Sequence, residues 1–427
     1  MKLKSDDHEF IQNSLRRLMR RFIRYLVVVL FVIGACVPVD FVELSPIVSL
    51  LTKFFVVLGG GVGLALVWRF GGKDLFFSVL AIFLVLFLNS LASGQVVTVA
   101  AFLAPILVGM ALAVCVGDLL LIFLVVSIVN SGSLLVDYAA GAHVVSGIFG
   151  APYQVAFLET VFRARGVVGQ AVPAALLASI ICVSSFVVRV APFRTLRKHR
   201  RMRAAILLLT LVAVYCAGTR SALVLLIFGF AVIFCFDTAF RSTFSLVKLL
   251  AVGVFAAFGV GVFAFDLIGV DAFAGIRLID FAGLSDSASV ENRRYAGVIY
   301  DVWTRNCDAG CAFLGFGARN LQTQLDQGLG VYGFTTVDNL YMSMLWDFGL
   351  LGVALFLGLM WVLFQRFKVS SQSPQRFVGV IGVFLIIASG FVFDSLYNRV
   401  VLVFFGFYYC ILVAPHANAR FRSLSYR

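Results

Sequence analysis

Asp338-Asn339-Leu340-Tyr341-Met342-Ser343-Met344-Leu345-Trp346-Asp347-Phe348-Gly349-Leu350-Leu351-Gly352-Val353-Ala354-Leu355-Phe356-Leu357 carries the chain from a long polar loop into an apolar helix. Its first half presents a carboxylate, an amide and a phenol, at Asp338, Asn339 and Tyr341. Its second half sets Gly349 and Gly352 in an apolar run. Two readings are open. In the structural one, Asp338 or Asn339 caps the helix and the glycines allow close helix packing. In the functional one, polar groups at the mouth of a membrane helix mark a site at the water–lipid boundary, because such groups are costly there without a task. Both make the stretch the start of a membrane span.

Composition agrees. The 427-residue chain is 62% hydrophobic and 13% charged, with mean hydropathy +1.04, whereas soluble domains run nearer half apolar and a quarter charged. The expected fold is an all-α polytopic membrane protein. Apolar runs of near-spanning length (roughly 20 residues each) fall near 25–39, 45–68, 74–92, 97–115, 118–136, 168–188, 204–218, 221–237, 246–267, 349–366, 377–395 and 399–415, about twelve transmembrane helices. The division between the fourth and fifth rests on Gly117-Asp118 alone.

Charge orients these spans. Residues 1–24 hold seven basic residues with no small-residue cleavage site after them, which reads as an uncleaved first helix with a cytoplasmic N-terminus. Assigned alternately to the two sides, the loops and tails put 24 of the 34 basic residues on the N-terminal side and nine on the other. By the positive-inside rule both termini, 1–24 and 416–427, are cytoplasmic. The net charge of +13 is thereby topogenic, and no nucleic-acid partner is needed to explain it. The expected order is transmembrane helices 1–9 over 25–267, a large, partly helical periplasmic loop at 268–348 between the ninth and tenth, and helices 10–12 over 349–415.

All nine outer basic residues are Arg. Arg is always charged, and its planar fork suits phosphate; salt bridging to nearby acids is the structural alternative. Within the large loop, Tyr295, Val298, Ile299, Val302 and Trp303 recur at helical spacing over 289–304, with Ser289 as N-cap. Residues 312–317 break this helix, and 318–326 form another short one. The loop reads as a helical lid. Six of the eight Cys lie in or beside apolar runs, whereas Cys307 and Cys311 share the loop. On an oxidising face these two form a disulfide if Asp308-Ala309-Gly310 turns. The loop has no His and no third Cys for zinc. No metal or cofactor is expected: the chain lacks a Walker A sequence and a metal-ligand cluster of usable spacing.

Four short pieces line up at the outer mouth: Arg163-Ala164-Arg165-Gly166; Gly218-Thr219-Arg220-Ser221-Ala222; Asn292-Arg293-Arg294-Tyr295 with Leu314-Gly315-Phe316-Gly317; and the Asp338–Leu357 stretch. In this order, and with the large loop before the third-last span, they resemble the O-antigen ligase and Wzy-type polysaccharide polymerase superfamily of bacterial inner membranes. The resemblance covers roughly residues 75–415 in layout, and only these pieces are motif-like. It implies a metal-independent, inverting glycosyltransferase that moves a glycan from undecaprenyl pyrophosphate to an acceptor hydroxyl. Polymerases extend another lipid-linked repeat unit, and ligases load lipid A–core.

The chemistry of the residues fits that implication. Fixed guanidinium groups in a partly dehydrated cleft stabilise a pyrophosphate leaving group without a metal, and a carboxylate serves an acceptor hydroxyl as base or orienter. Arg220 and Arg293 are assigned to the pyrophosphate and Asp338 to the acceptor. Arg163, Arg165 and Arg294 are further phosphate or sugar contacts. Asn339 and Tyr341 are substrate-binding, with Tyr341 stacking on a sugar ring; Trp303 is given to packing. The ligase branch usually begins its last motif with His-Asn, whereas this chain has Asp338-Asn339, which favours polymerase. Expected partners are the lipid-linked oligosaccharide, membrane lipids, a chain-length regulator and a flippase. The competing classes are a ligase, a flippase or transporter of lipid-linked glycans, and an envelope scaffold. A transporter would need cationic residues lining a mid-membrane cavity, and Lys53 is the one clear mid-span charge.

Overall fold

The computed structural model describes residues 58, 60–93, 96–115, 118–145, 162–188, 196–236, 288–317, 320–326, 339–370, 374–391, 393 and 397–414. The basic N-terminus, the first span, most of the second, the ninth (246–267), the C-terminal tail and Asp338 lie outside them. The described residues are helical throughout, with no strand among them. The α-helices are α1 (Gly72–Ser93), α2 (Val96–Cys115), α3 (Leu119–Ala140), α4 (Ala171–Val187), α5 (Leu196–Ala217), α6 (Arg220–Phe236), α7 (Ala288–Asn306), α8 (Ala309–Leu314), α9 (Asn320–Asp326), α10 (Leu340–Ser370), α11 (Pro374–Ser389) and α12 (Arg399–Val413).

Among the described residues two helices are long and apolar enough to cross a membrane, Leu119–Ala140 and Leu340–Leu363; five shorter apolar helices accompany them. A second observation supports a lipid environment. The buried face of α3 carries Ser127, Asn130, Ser131 and Asp137, while Leu121, Val125, Ile128 and Leu135 are exposed. A helix on the surface of a soluble protein turns its apolar face inward. Here those polar residues share the buried face with Leu120, Phe123 and Leu134, and the other aliphatic face is left outward, as a lipid solvent favours.

The division expected at Gly117-Asp118 is present: α2 ends at Cys115 and α3 starts at Leu119. Asp118 is extended and its carboxylate accepts the N–H of Leu121 at 3.2 Å, an N-cap that starts α3. Other boundaries move. Helix α5 starts at Leu196, eight residues before the apolar run at 204, because Lys and Arg are good helix formers. The Arg203 guanidinium there donates to the carbonyls of Ser185 and Val188 at the end of α4. Helix α11 stops at Ser389, short of 395, where Gly390 and Phe391 turn back to donate to Ile387 and Ala388. Helix α7 is already formed at Ala288, so Ser289 lies inside its first turn and is not the cap. Ala312 to Leu314 belong to α8, so the expected break at 312–317 narrows to Gly315-Phe316-Gly317.

Neighbouring contacts fix which helix ends lie together. Asn130 Nδ2 donates to the Ala174 carbonyl, and the Tyr138 and Tyr215 hydroxyls meet at 3.3 Å. The C-terminal ends of α3 and α5 thus lie beside the N-terminal end of α4. Ser179 Oγ donates to the Ala222 carbonyl, bringing in the start of α6. Phe228 packs on Phe384, so α6 and α11 sit side by side. Leu340 N–H donates to the Gly390 carbonyl, joining the start of α10 to the end of α11. Helices α2 and α12 run parallel, with Phe102 against Tyr397, and approach so closely that a Cβ on Gly109 would lie 2.8 Å from the Phe407 nitrogen. Small residues at such contacts let backbones pack in a lipid phase, where van der Waals fit drives association.

Two apolar cores result. The larger unites the bundle. The smaller, Ile299, Trp303, Leu321, Met342 and Trp346, joins α7 and α9 to the first half of α10. This is the lid docked on its helix, with Trp303 in the packing role. Cys307 and Cys311 are disulfide-bonded across 5.2 Å between Cα atoms, and Asp308 makes the turn by accepting the Cys311 N–H at 2.8 Å. Protein prepared from oxidising membranes should take up two more alkyl groups with reductant than without. Equal uptake would exclude the bridge.

Candidate functional site

The four motif pieces meet in two pairs. The first pair joins Arg163-Ala164-Arg165-Gly166 to the turn before Arg220. Ala164 N–H donates to the Cys216 carbonyl at 3.1 Å and Arg163 Nε to the Ala217 carbonyl at 3.0 Å. The last carbonyls of a helix lack intrahelical donors, so residues 163–164 cap α5, and the Arg163 cation complements the negative helix end. Arg163 Nη2 also donates to Thr219 Oγ1 at 3.1 Å, while the Thr219 hydroxyl donates to the Ala217 carbonyl. Arg163 thus braces the turn that delivers Arg220, which is half-buried as the first residue of α6.

Asp137 organises this pair from below. It is fully buried in the last turn of α3. A carboxylate at a helix C-terminus opposes the dipole, at a cost of about 0.3–1 kcal/mol. Three backbone donors outweigh that cost: Val145 N–H at 2.7 Å to Oδ1, with Gly166 at 2.8 Å and Arg165 at 3.3 Å to Oδ2. Hydrogen bonds to a charged group are worth about 1.5–3 kcal/mol each. Arg165 is therefore held by its backbone, and its half-buried side chain starts from a fixed turn. Asp137 escaped the sequence reading because the apolar run ended at 136 and a carboxylate just beyond a span looks like ordinary loop. Its signal was its sign, an acid where a helix end favours a base.

The second pair joins Leu314-Gly315-Phe316-Gly317 to the Asp338–Leu357 stretch. Helix α10 is broken at Gly349 (φ 60°, ψ −157°). The Phe316 and Gly317 N–H groups donate to the carbonyls of Trp346 and Asp347, at 2.9 and 3.0 Å. The loop strap thus supplies donors to carbonyls beside the break. Asp347 is fully buried; its Oδ2 accepts the Tyr397 hydroxyl at 2.6 Å and its Oδ1 the Leu321 N–H at 2.9 Å. Leu321 is in the first turn of α9, where a carboxylate also meets the positive helix end. Trp346 Nε1 donates to Asn320 Oδ1 at 3.1 Å. Asp347 thus ties the lid to the bundle. Tyr397→Phe removes one charge-assisted bond, and a loss of about 1.5–3 kcal/mol is expected, read as a lower unfolding temperature and faster proteolysis within 288–326. An unchanged lid would remove Asp347 from this role.

The remaining residues fall as follows. Asn339 is the N-cap of α10, its Oδ1 accepting the N–H groups of Tyr341 and Met342 at 3.1 and 3.2 Å. Tyr341 donates its hydroxyl to the Ile387 carbonyl at 3.0 Å and packs against Phe391 and Phe356. That sheltered setting makes it a strut between α10 and α11, and sugar stacking would require it to let go of both rings. Arg293 and Arg294 lie on the second turn of α7, and their side chains are outside the described residues. Asp338 and Arg319 are outside them altogether.

Both pairs occupy the same end of the bundle, because α6 starts there, α11 ends there and α10 begins on Gly390. That end gathers Arg163, Arg165, Arg220 and Arg399. Among the described residues no cluster of three or more His, Cys, Asp or Glu is arranged to hold a metal ion. No protein-family model and no curated protein matches the chain.

Proposed function

We propose that the chain is a polymerase of undecaprenyl-pyrophosphate-linked oligosaccharide repeat units, working at the periplasmic face of a bacterial inner membrane. The observation that carries this reading is that the four separated motif pieces meet in two pairs, 163–166 with the turn before Arg220 and 314–317 with the start of α10. In the reaction, an acceptor sugar hydroxyl attacks the anomeric carbon of the donor glycan from the face opposite the leaving group. The new C–O bond forms as the bond to pyrophosphate breaks, and the configuration inverts. Asp338 takes the hydroxyl proton, and undecaprenyl pyrophosphate leaves with its developing charge held by Arg220 and Arg293. Arg163 supports Arg220, and Arg165 and Arg294 complete the anion-binding site. The starting Asp338-Asn339 pair favours a polymerase over a ligase.

The topology that goes with this function has twelve spans, both termini in the cytoplasm and 268–348 in the periplasm. Support comes from the charge bias, which puts 24 of the 34 basic residues on the side of the termini. Reporter fusions at Gly330 and Ser373 should report opposite sides of the membrane. The same side for both would sink the arrangement. In cells, loss of the protein should leave lipid-linked monomer, seen as a single-repeat band. Accumulation of long lipid-linked polymer instead would identify a ligase.

A further inference from the structure

Asp137 contacts both borders of the 146–161 segment, through Val145 on one side and through Arg165 and Gly166 on the other. Ser133, one turn earlier on α3, accepts the Val167 N–H at 3.1 Å. Gly166 is pressed so closely onto α3 that a Cβ would lie 2.6 Å from Ser133 Oγ. The chain just before this anchor reaches across to the α5–α6 turn by backbone, Ala164 to Cys216, and by side chain, Arg163 to Ala217 and Thr219. One buried carboxylate thus stands behind two arginine-bearing turns that are more than fifty residues apart in sequence.

We infer that Asp137 is a positioning residue for the anion-binding end: it seats 162–166 on α3, so that Arg165 is aimed directly and Arg220 is aimed through the Arg163–Thr219 link. The ligand class, a lipid-borne pyrophosphate, rests on the polymerase reading; the positioning itself does not. Closing the loop alone would require only the contacts at Val145, Arg165 and Gly166. Coupling to the second turn requires the 163–164 bridge as well, and the bridge makes a distinct expectation. Disturbing Asp137 should loosen Thr219 to Ala222 while the interior of α3 stays closed.

The test uses the full chain in lipid nanodiscs. Amide hydrogen exchange in Asp137→Asn is expected to rise about ten-fold or more at Arg165 and Gly166, the equivalent of losing one charge-assisted bond. A smaller rise is expected at 219–222, with none at the centre of α3 or α12. Unchanged exchange at 219–222 would overturn the inference. Should Asp137→Asn fail to fold, Thr219→Val cuts the second link with an isosteric side chain and Thr219→Ser keeps it. Binding of undecaprenyl pyrophosphate is expected to weaken about ten-fold in Thr219→Val and to stay near wild type in Thr219→Ser. Wild-type affinity in Thr219→Val would equally overturn the inference. If the wild-type chain does not bind this lipid at all, the polymerase reading fails and the exchange data still decide the positioning, with Thr219→Val expected to speed exchange at 219–222 and Thr219→Ser not.

Discussion

Alanine at Gly349 will undock the lid. Gly349 holds φ 60° with ψ −157°, a region essentially closed to residues with a Cβ. The space is closed as well: an added Cβ would lie 2.6 Å from the Gly315 nitrogen and 2.7 Å from the Ala312 oxygen and the Phe313 carbonyl carbon. These are backbone atoms, so no side chain can swing away. Backbone strain costs about 1–3 kcal/mol, and the two strap hydrogen bonds add about 0.5–1.5 each if the strap lifts. A loss of about 3 kcal/mol or more is expected, with rapid proteolysis of 288–326 and loss of function. Gly358 provides the control. It lies in the same helix with nothing within 4 Å of an added Cβ, and alanine there should be neutral or stabilising by up to about 1 kcal/mol. A protected lid in Gly349→Ala would show that the break in α10 is not what seats it.

Arg220→Ala and Arg293→Ala are each expected to abolish polymer at normal protein level, leaving lipid-linked monomer. Removing one preorganised donor from a developing oxyanion typically costs about 10²–10³ in turnover. Lys at either position should fail to rescue, since it keeps the charge and loses the bidentate fork. Asp338→Ala should give the same block through loss of the base. Arg163→Ala has a different expected outcome: it uncaps α5 and loosens the Arg220 turn, so the protein loses stability together with activity. Full-length polymer from Arg220→Ala and Arg293→Ala would remove both from the site. Disappearance of the protein in those variants would mean that the arginines only hold the loops together.

Much of the fold could be read because membrane helices announce themselves by length and apolarity. The turn at Asp118, the long helix from Leu119 and the short lid helix at Asn320 follow from that pattern and from capping chemistry, whereas α10 starts at Leu340, nine residues before the apolar run expected at 349. Boundaries failed where hydropathy stops tracking helicity: the basic first turns of α5 are helical though polar, and the apolar residues after Ser389 leave the helix. In the site, sequence spacing identified the pieces but not who touches whom. Arg163 looked like a ligand contact and is committed to Ala217 and Thr219. Tyr341 looked like a sugar platform and braces α11. Asp137 and Asp347, two buried carboxylates that hold the pieces together, act on partners 28 and 50 positions away, at Arg165 and Tyr397. Long-range hydrogen bonding of that kind leaves no local periodicity to find.

The most direct test of the proposed chemistry is a single reaction. The purified chain in nanodiscs is given a lipid-linked repeat unit, with a chelator present and no lipid A–core, and the lipid-linked products are separated by size. A ladder of oligomers that is absent from Arg220→Ala is the expected result. Monomer that stays unextended, although it binds the wild-type chain, would contradict a polymerase.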